Sequence, residues 1–151
     1  MSFEWQTLAF ADLSNEQLYQ ILQLRQKIFV VEQDCAYLDL DDKDQRAMHM
    51  LCHENGQLKA YQRCLPPGVS YPESSMGRIV VVRSQRGRQL GAMLVQKGIE
   101  YNLEHWPDTD ICISAQAHLQ EFYARLGFES EGAEYIEDNI RHCKMRLRFG
   151  T

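Results

Sequence analysis

The sequence contains no long apolar run. The N-terminal segment MSFEWQTLAF has no basic stretch followed by an apolar one, which is the arrangement that marks a secretory signal peptide. No segment approaches the roughly 20 consecutive apolar residues that a membrane-spanning helix needs. We therefore expect a cytoplasmic protein without a signal peptide or a membrane segment.

Close cysteine pairs are also missing. The five cysteines are odd in number, scattered, and never in C-x-x-C spacing, so neither a disulfide framework nor a structural zinc site is indicated. We predict no metal and expect most cysteines to be small, reduced core residues. Cys35 lies in a polar stretch, where we expect it to be exposed. The other four are Cys52, Cys64, Cys112 and Cys143.

The chain has no excess of basic residues. Sixteen Lys and Arg stand against 21 Asp and Glu, for a formal charge of −5. Nucleic-acid binding normally needs a basic face, so we expect no nucleic-acid partner. A moderate negative charge favours solubility and is equally compatible with a cationic substrate, and the composition leaves both open.

The pattern of apolar residues predicts one α/β domain over residues 1–151. Ser14 with Gln17 forms a capping-box pattern at a helix start, Asn55-Gly56 is typical of a hairpin turn, and Gly127 is suited to end a helix. The middle reads as an antiparallel meander and the later part as βαβ, which together predict a mixed sheet of about six to seven strands with helices on both faces. The predicted strands are 3–10, 48–53, 58–65, 77–82, 111–114, an extended segment from 128, and 140–149, and the predicted helices are 15–29, 89–105 and 118–126.

An acidic segment, YLDLDDKD, occupies residues 37–44. Its density of aspartate favours a loop or a short helical turn over a strand. The spacing lacks the glycine and the final glutamate of an EF-hand calcium loop. Two interpretations stay open, a solvated loop or a group of charges that attracts a cationic amine. The aspartates are Asp39, Asp41, Asp42 and Asp44.

The strongest functional signal is RIVVVRSQRGRQLGAMLVQKG at residues 78–98. An apolar β-branched run, typical of a central strand, leads into a tight segment with Gly87 and Gly91 and then into a helix. The first turn of a helix offers unpaired backbone N–H groups and the positive end of the macrodipole, which together bind anions. The Walker and Rossmann glycine patterns are both missing. The segment predicts a pyrophosphate site, with a tight turn and solvated arginines (Arg83, Arg86 and Arg88) as the alternative.

The segment RGRQLG, residues 86–91, resembles the pyrophosphate-binding motif of the GNAT superfamily of N-acetyltransferases, Gln/Arg-x-x-Gly-x-Gly/Ala. Gln89 stands where the first glycine is usual; we expect binding to persist if the backbone there is helical. ISAQAHLQEFYARLGF resembles the strand and helix that follow in the superfamily. LRQKIFVVEQDCAYLDLDDKD, AQAHLQEFY and YIEDNIRHCKM resemble its ElaA-like subgroup, and this similarity covers nearly the whole chain.

The resemblance implies the GNAT fold and an enzyme that moves the acetyl group of acetyl-CoA to a primary amine by direct attack. The acceptor would be a small amine or an exposed amino group, and the protein a monomer or a homodimer. A non-catalytic acyl-CoA-binding regulatory module and an acyltransferase that uses longer acyl-CoA remain as alternatives. The resemblance implies that backbone N–H groups of Val80, Val81 and Val82 hold the thioester carbonyl. The other residues that it implies for cofactor binding are Arg86, Gly87, Arg88, Gln89, Leu90, Gly91, Ala92 and Gln116.

The resemblance also implies a general acid and a set of candidate bases. Tyr123 matches the tyrosine that protonates the leaving thiolate, and its ordinary pKa of about 10 keeps it protonated at neutral pH. An alkylamine, with a pKa near ~10.4, needs a base or a proton relay before attack. The candidates are Glu32, His49, His118, Glu137 and His142, of which Glu32, His49 and His142 are implied as acceptor-pocket residues. Each histidine is otherwise a hydrogen-bonded structural residue, and a water chain is an alternative to a direct base.

Overall fold

Seven strands form one sheet, and helices cover both of its faces. The computed structural model describes residues 2–87 and 89–150. The strands are β1 (Glu4–Ala9), β2 (Met48–Glu54), β3 (Gln57–Leu65), β4 (Ser74–Val81), β5 (Ile111–Gln116), β6 (Glu129–Glu137) and β7 (Ile140–Leu147). The helices are α1 (Asn15–Arg25), α2 (Leu90–His105) and α3 (Gln120–Arg125). Short 3₁₀ turns span Phe10–Asp12, Asp44–Arg46, Arg83–Gln85 and Ala117–Leu119.

The strand order is β1-β2-β3-β4-β5-β7-β6. Every neighbouring pair is antiparallel except β4 and β5, which run parallel. The α2 crossover makes that parallel pairing possible, because parallel strands need a long connection. The mixed sheet predicted from the sequence is confirmed, and its one parallel pair lies at its centre.

The two faces of the sheet carry separate apolar cores. Successive side chains of a strand point to opposite faces, and the neighbours Leu51 and Cys52 accordingly belong to different clusters. On one face α1 packs Ile21 and Leu24 against Leu51. On the other face α2 packs Leu94 into the larger core, which also holds Cys52. The sheet is thus packed between α1 on one face and α2 on the other.

The first helix begins as its capping box predicts and ends earlier than predicted. The Ser14 side chain accepts from the Gln17 backbone N–H, and the Gln17 side chain accepts from the Ser14 N–H. Instead of running to residue 29, α1 gives way at Arg25 to a π-helical segment, Gln26–Glu32. π-Helical turns are rare and are frequent near functional sites. The wider turn keeps Ile28 in the core while it carries Glu32 to the end of β4.

The predicted hairpin between β2 and β3 is confirmed. Asn55 (φ +53°) and Gly56 (φ +75°) both take left-handed conformations, as a two-residue type I′ turn requires.

All five cysteines are free and buried. The expectation that Cys35 is exposed is wrong, because it is 6% exposed and its thiol donates to the Asp138 carbonyl at 2.8 Å. Burial raises the pKa of Cys64 to about 12, so its thiol is unreactive at neutral pH.

Of the aspartates in the acidic segment, only Asp42 is exposed. The other three pair with arginines from three different elements and form a largely buried network, which we call the Arg–Asp cluster: Arg25, Arg63, Arg78, Asp39, Asp41 and Asp44. Arg25 is fully buried between Asp39 and Asp44, at 2.8 Å from each. Burial alone would lower the pKa of Arg25, but its bonds to Asp44 and the aspartate charges raise it above the ordinary value. These aspartates are therefore occupied by arginines and unavailable to a cationic substrate.

No helix in residues 2–87 and 89–150 is both long and apolar enough to span a membrane.

Candidate active site

The central parallel pair of strands separates after a short contact. β4 and β5 pair only at Ser74↔Ile111 and Ser75↔Cys112. Beyond these pairs each strand continues without pairing with the other, and a cleft of about 510 Å³ opens between them. Strand edges that lack a protein partner offer backbone N–H and C=O groups to an extended ligand.

A β-bulge shapes the β4 wall of this cleft. Tyr61 pairs with Val80, and Arg63 pairs with Gly77. Two residues of β4, Arg78 and Ile79, therefore lie opposite one residue of β3. Arg78 takes a left-handed conformation with φ +52°, which is strained for a residue with a side chain and recurs at functional sites. Gly77, Arg78 and Ile79 all line the cleft.

The Arg–Asp cluster holds Arg78 in this conformation. Its Nε donates to Asp39 Oδ1 at 2.7 Å, and its Nη2 donates to the Asp39 carbonyl at 2.9 Å and to Asp41 Oδ2 at 3.3 Å. The bonds to Asp39 and Asp41 fix the side chain and the loop that covers it. The strained turn of β4 is thus stabilised by the buried network beside it.

The backbone of residues 80–82 divides its hydrogen bonds between β3 and the cleft. The Val82 N–H donates to the Lys59 carbonyl at 2.9 Å and is not available to a ligand. Because backbone groups alternate in direction along an antiparallel pair, those of Val81 point away from β3. The Val81 carbonyl accepts from Arg86 Nε at 3.3 Å. Val81 is therefore the residue of 80–82 whose backbone groups are not used by β3, whereas the Val80 side chain lies in the α1 core and the bulge residue Ile79 lines the cleft.

The predicted phosphate loop joins β4 to α2. Gly87 (φ +79°) and Gln89 (φ +64°) are both left-handed. The expected helical backbone at Gln89 is therefore wrong: α2 begins at Leu90, and Gln89 adopts the positive φ that glycine takes most easily. Arg88 lies outside the described residues.

The first turn of α2 points its N–H groups away from the helix body. The first backbone bond runs from the Met93 N–H to the Gln89 carbonyl, so the N–H groups of Leu90, Gly91 and Ala92 have no intrahelical partner. The Gln89 side chain does not cap them. A Cβ at Gly91 would lie 3.8 Å from its nearest neighbours, Phe122 and Val81, so this position has room for alanine. The residues present therefore fit an anionic group bound at this turn.

Glu32 lies beside the phosphate loop. Its carboxylate is 2.7 Å from Arg86 Nη2, and it is not among the residues that line the cleft. The structure therefore places Glu32 beside Arg86, one of the predicted cofactor residues, and outside the lining of the cleft.

Tyr123 lines the cleft from α3. Its ring is 6% exposed and meets Phe122 and Phe128 edge-on. Burial raises its pKa above the ordinary value, so the hydroxyl is protonated throughout the physiological range. The helix that carries it is shorter than predicted, because Ala117–Leu119 forms a 3₁₀ turn before α3.

His142, on β7, has one ring nitrogen hydrogen-bonded to a backbone carbonyl and the other close to a carboxylate. His142 Nδ1 is 2.8 Å from the Ile140 carbonyl. A carbonyl only accepts, so in the neutral ring Nδ1 carries the proton and Nε2 has the lone pair. His142 Nε2 lies 3.7 Å from Glu137 Oε2. His142 and Glu137 both line the cleft, and their arrangement is suited to accepting a proton.

Hydroxyl groups extend this polar wall. Ser114 Oγ is 2.5 Å from the Tyr135 hydroxyl and 3.4 Å from Glu137 Oε2. The Tyr135 ring also stacks on the His142 ring. Sequence reasoning did not select Ser114 or Tyr135, although the spacing of Tyr135 and Glu137 on one strand places both side chains on the same face.

Two glutamines bridge the cleft margin. Gln33 and Gln116 exchange side-chain amide bonds of 3.3 and 3.4 Å. Gln116 is also directly opposite His142 in the β5–β7 ladder. The predicted residue Gln116 therefore lies at the cleft next to the candidate base, and Gln33 is a further residue that the sequence did not single out.

The structure does not bring His49 or His118 to the cleft. His49 is fully buried, its Nδ1 is 2.6 Å from the Tyr61 hydroxyl, and its Nε2 is 2.8 Å from the Asp44 carbonyl. Burial lowers its pKa. The prediction of His49 as a pocket residue is corrected accordingly: its ring is a neutral structural group with both nitrogens occupied. His118 is exposed on the turn before α3, outside the cleft lining.

Across residues 2–87 and 89–150, no three His, Cys, Asp or Glu side chains come together as a metal site would need.

Comparisons with known proteins agree with this geometry. A family model described as "Acetyltransferase (GNAT) domain" matches residues 11–149. The protein ElaA of Escherichia coli is 42% identical over 144 residues, 94% of each chain, and a UPF0039 protein of Synechocystis is 42% identical over 149 residues, covering 98% of this chain and 97% of the relative.

Two solved structures are also similar over their full length. An acyl-CoA N-acyltransferase from Pseudomonas aeruginosa has a TM-score of 0.92 at 39% identity, and it covers 97% of this chain and 100% of its own. The crystal structure of Escherichia coli ElaA has a TM-score of 0.91 at 40% identity, with the same coverage of 97% and 100%.

Proposed function

This chain belongs to the GNAT acetyltransferase family and is an acyltransferase, and we propose that it moves the acetyl group of acetyl-CoA to a primary amine by direct attack. One observation carries the proposal. Tyr123 and His142 line the cleft that opens between β4 and β5, and α2, whose first N–H groups lack an intrahelical partner, begins shortly after the C-terminal end of β4.

The phosphate loop provides the anion site. The N–H groups of Leu90, Gly91 and Ala92 converge at the positive end of α2 and bind the pyrophosphate of CoA. Arg86 adds a cation that Glu32 holds nearby. The arm of the cofactor would then follow the unpaired edge of β4, where main-chain bonds need no particular side chain.

The acyl thioester supplies an activated carbonyl carbon for attack. Backbone N–H groups of Ile79 and Val81 stabilise the charge that develops on its oxygen, because the bulge directs this part of β4 toward the cleft. His142 Nε2 takes a proton from the amine as the new C–N bond forms. Tyr123 gives its proton to the thiolate as the C–S bond breaks. Both side chains line the same cleft.

Glu137 supports the base. Its carboxylate, 3.7 Å from His142 Nε2, stabilises the imidazolium that forms after proton transfer. The amine and its base lie on the β5–β7 side, whereas Tyr123 approaches from α3. This separation suits a reaction in which one proton leaves the nucleophile and another reaches the leaving group.

A thiol-release assay with acetyl-CoA and a panel of primary amines tests the proposal. We expect amine-dependent release of CoA and an N-acetylated product by mass spectrometry. Tight binding of acetyl-CoA without turnover on any amine would instead support an acyl-CoA-binding module.

A further inference from the structure

We propose that the acceptor carries a carboxylate in addition to its amine, and that Lys43 with Ser70 binds this carboxylate. The substrate class is then a small amino acid whose amine reaches His142. This inference rests on the proposed function, and it concerns the acceptor half of the same cleft.

Some of the charged side chains that line the cleft are paired with an opposite charge, and Lys43 is not. Arg63, Arg78 and Asp41 belong to the Arg–Asp cluster and neutralise one another. Lys43 Nζ donates to the Ser70 hydroxyl at 2.9 Å, and within the described residues no carboxylate oxygen lies within 4.0 Å of it. The ammonium group of Lys43 thus lines the cleft with a neutral hydrogen-bond partner, and its remaining N–H donors can bind an anion.

Lys43 is held in place on both sides by buried residues. Its backbone N–H donates to Asp41 Oδ1 at 3.2 Å, and the next residue, Asp44, bonds to Arg25 and Arg63. The ammonium therefore projects from a rigid backbone and not from a mobile surface loop. A positioned cation is what a specific carboxylate site requires.

Hydroxyl groups line the same cleft as Lys43 and the candidate base. Ser70 precedes Tyr71 in the chain, and Tyr71 lies near Tyr135. Burial raises the pKa of Tyr71, and the neighbouring Tyr135 and Glu137 add to that shift. Tyr135 then contacts Ser114, which reaches the carboxylate beside His142. The cleft thus presents a cation, neutral hydroxyls, and a base with a carboxylate beside it.

This combination of charges matches a zwitterion. The amine, cationic before it loses its proton, approaches Glu137 and His142, while the carboxylate of the same molecule approaches Lys43. An acceptor with a second cation in place of the carboxylate would meet Lys43 with the wrong sign, and like charges at short distance repel.

The phosphates of CoA do not account for Lys43. Ser70, the partner of Lys43, precedes β4 in the chain, and Ser75 and Met76 at the start of β4 line the cleft with both residues, whereas α2 follows the C-terminal end of that strand. At ~3.3 Å per residue, an eight-residue strand separates these ends by roughly 25 Å. The two cationic regions therefore serve different ligands.

Matched acceptors test the inference by turnover. The series comprises α-amino acids and ω-amino acids from β-alanine to 6-aminohexanoate, each compared with its carboxamide. We expect the best carboxylate to exceed its carboxamide at least about tenfold in kcat/KM, since a charged hydrogen bond contributes that much or more. We expect Lys43→Met to remove the preference by raising the KM of the carboxylate acceptors. Lys43→Arg retains much of it, and Lys59→Met, which changes a lysine outside the cleft lining, retains all of it.

Binding of the products separates this inference from the proposed function. The N-acetyl derivatives of the same acids are titrated into the protein with CoA, and we expect Lys43→Met to weaken their binding about tenfold without affecting the N-acetyl carboxamides. This result supports the carboxylate site even if no amine is turned over, in which case the transferase proposal alone fails. Equal use of acids and amides by the wild type, or an unchanged preference in Lys43→Met, overturns the inference.

Discussion

Arg78 Nε lies 2.7 Å from Asp39 Oδ1, and this ion pair holds the one residue of β4 that adopts a positive φ. The pair thereby couples the acidic segment to the bulge that directs β4 toward the cleft. The ion pair between Arg78 and Asp39 and the positive φ of Arg78 therefore depend on each other.

The first prediction follows from this contact. Asp39→Asn removes the carboxylate charge that Arg25 and Arg78 share, so that Arg25 keeps only Asp44 and Arg78 only Asp41, and breaking a buried pair typically costs about 3–5 kcal/mol. We expect a loss of that order in the free energy of unfolding, measured by denaturant titration. Glu134→Gln, which removes the exposed partner of Arg141, is the control and should change little. Equal effects of the two variants would show that burial of the cluster does not contribute to stability.

Tyr123→Phe tests the general acid. Removing the hydroxyl leaves the ring packed on Phe122 and Phe128, so we expect acetyl-CoA to bind within about twofold of the wild type while kcat falls roughly 100-fold. Steady-state kinetics and calorimetry measure the two effects separately. Tyr19→Phe, at a tyrosine that is 70% exposed, serves as the control. A fall in turnover of less than about twofold with a good acceptor would exclude Tyr123 as the acid.

His142→Gln tests the base. The amide cannot accept the amine proton as imidazole does, so we expect kcat/KM at neutral pH to fall about 100-fold. Near pH ~10 a large share of an alkylamine is already deprotonated, and the deficit of the variant should shrink there. A deficit that is the same at both pH values would mean that His142 orients the acceptor and does not take its proton.

Local patterns in the sequence predicted most of the fold. The capping box of Ser14 and the Asn55-Gly56 turn depend on neighbouring residues, and both are present. The Arg–Asp cluster was not predicted, because Arg25 and Asp44 meet only after the chain has folded back over the sheet. The bulge at Arg78 was not predicted for the same reason, since the positive φ of Arg78 is imposed by residues distant in the sequence and not by the conformational preference of arginine.

The pKa values of buried groups predict how stability depends on pH. Burial lowers the pKa of His49, so the unfolded chain binds more protons between the folded pKa and about 6.5. The stability that neutral His49 contributes is complete above about 6.5 and is lost as the pH falls below it. Asp41 and Asp44 behave alike at lower pH, because bonds to Arg63 and Arg25 outweigh burial and lower both pKa values. Their contribution is complete above about 3.9 and is lost below.

Thermal unfolding between pH 8 and 3 measures both steps. We expect Tm to begin to fall near pH 6.5 and to fall more steeply below pH ~4. In His49→Gln the first decline should be absent, although the variant is less stable throughout. His118→Gln, at an exposed histidine, should keep the wild-type profile. If His49→Gln keeps the first decline as well, another group is responsible for it.

Gln89 gives a test of what the glycine in the pyrophosphate motif provides. The backbone at Gln89 has a φ of +64°, where a residue with a Cβ is destabilised by roughly 1–2 kcal/mol relative to glycine. Gln89→Gly relieves this strain but increases the entropy of the unfolded chain, which offsets about 1 kcal/mol. We therefore expect Tm to stay equal or rise slightly, and acetyl-CoA affinity to stay within about threefold, because the N–H groups of α2 do the binding.

Gln89→Val should have the opposite effect to Gln89→Gly, since a residue with a branched Cβ tolerates a positive φ least. We expect it to lower Tm by several degrees and to weaken acetyl-CoA binding as the first turn of α2 shifts. Gly91→Ala, at a helical position with space for a methyl group, should leave both unchanged. If Gln89→Gly and Gln89→Val behave alike, the positive φ is not needed for cofactor binding. If they diverge as expected, the motif glycine selects a backbone conformation, and glutamine is an acceptable substitute because it can adopt the same one.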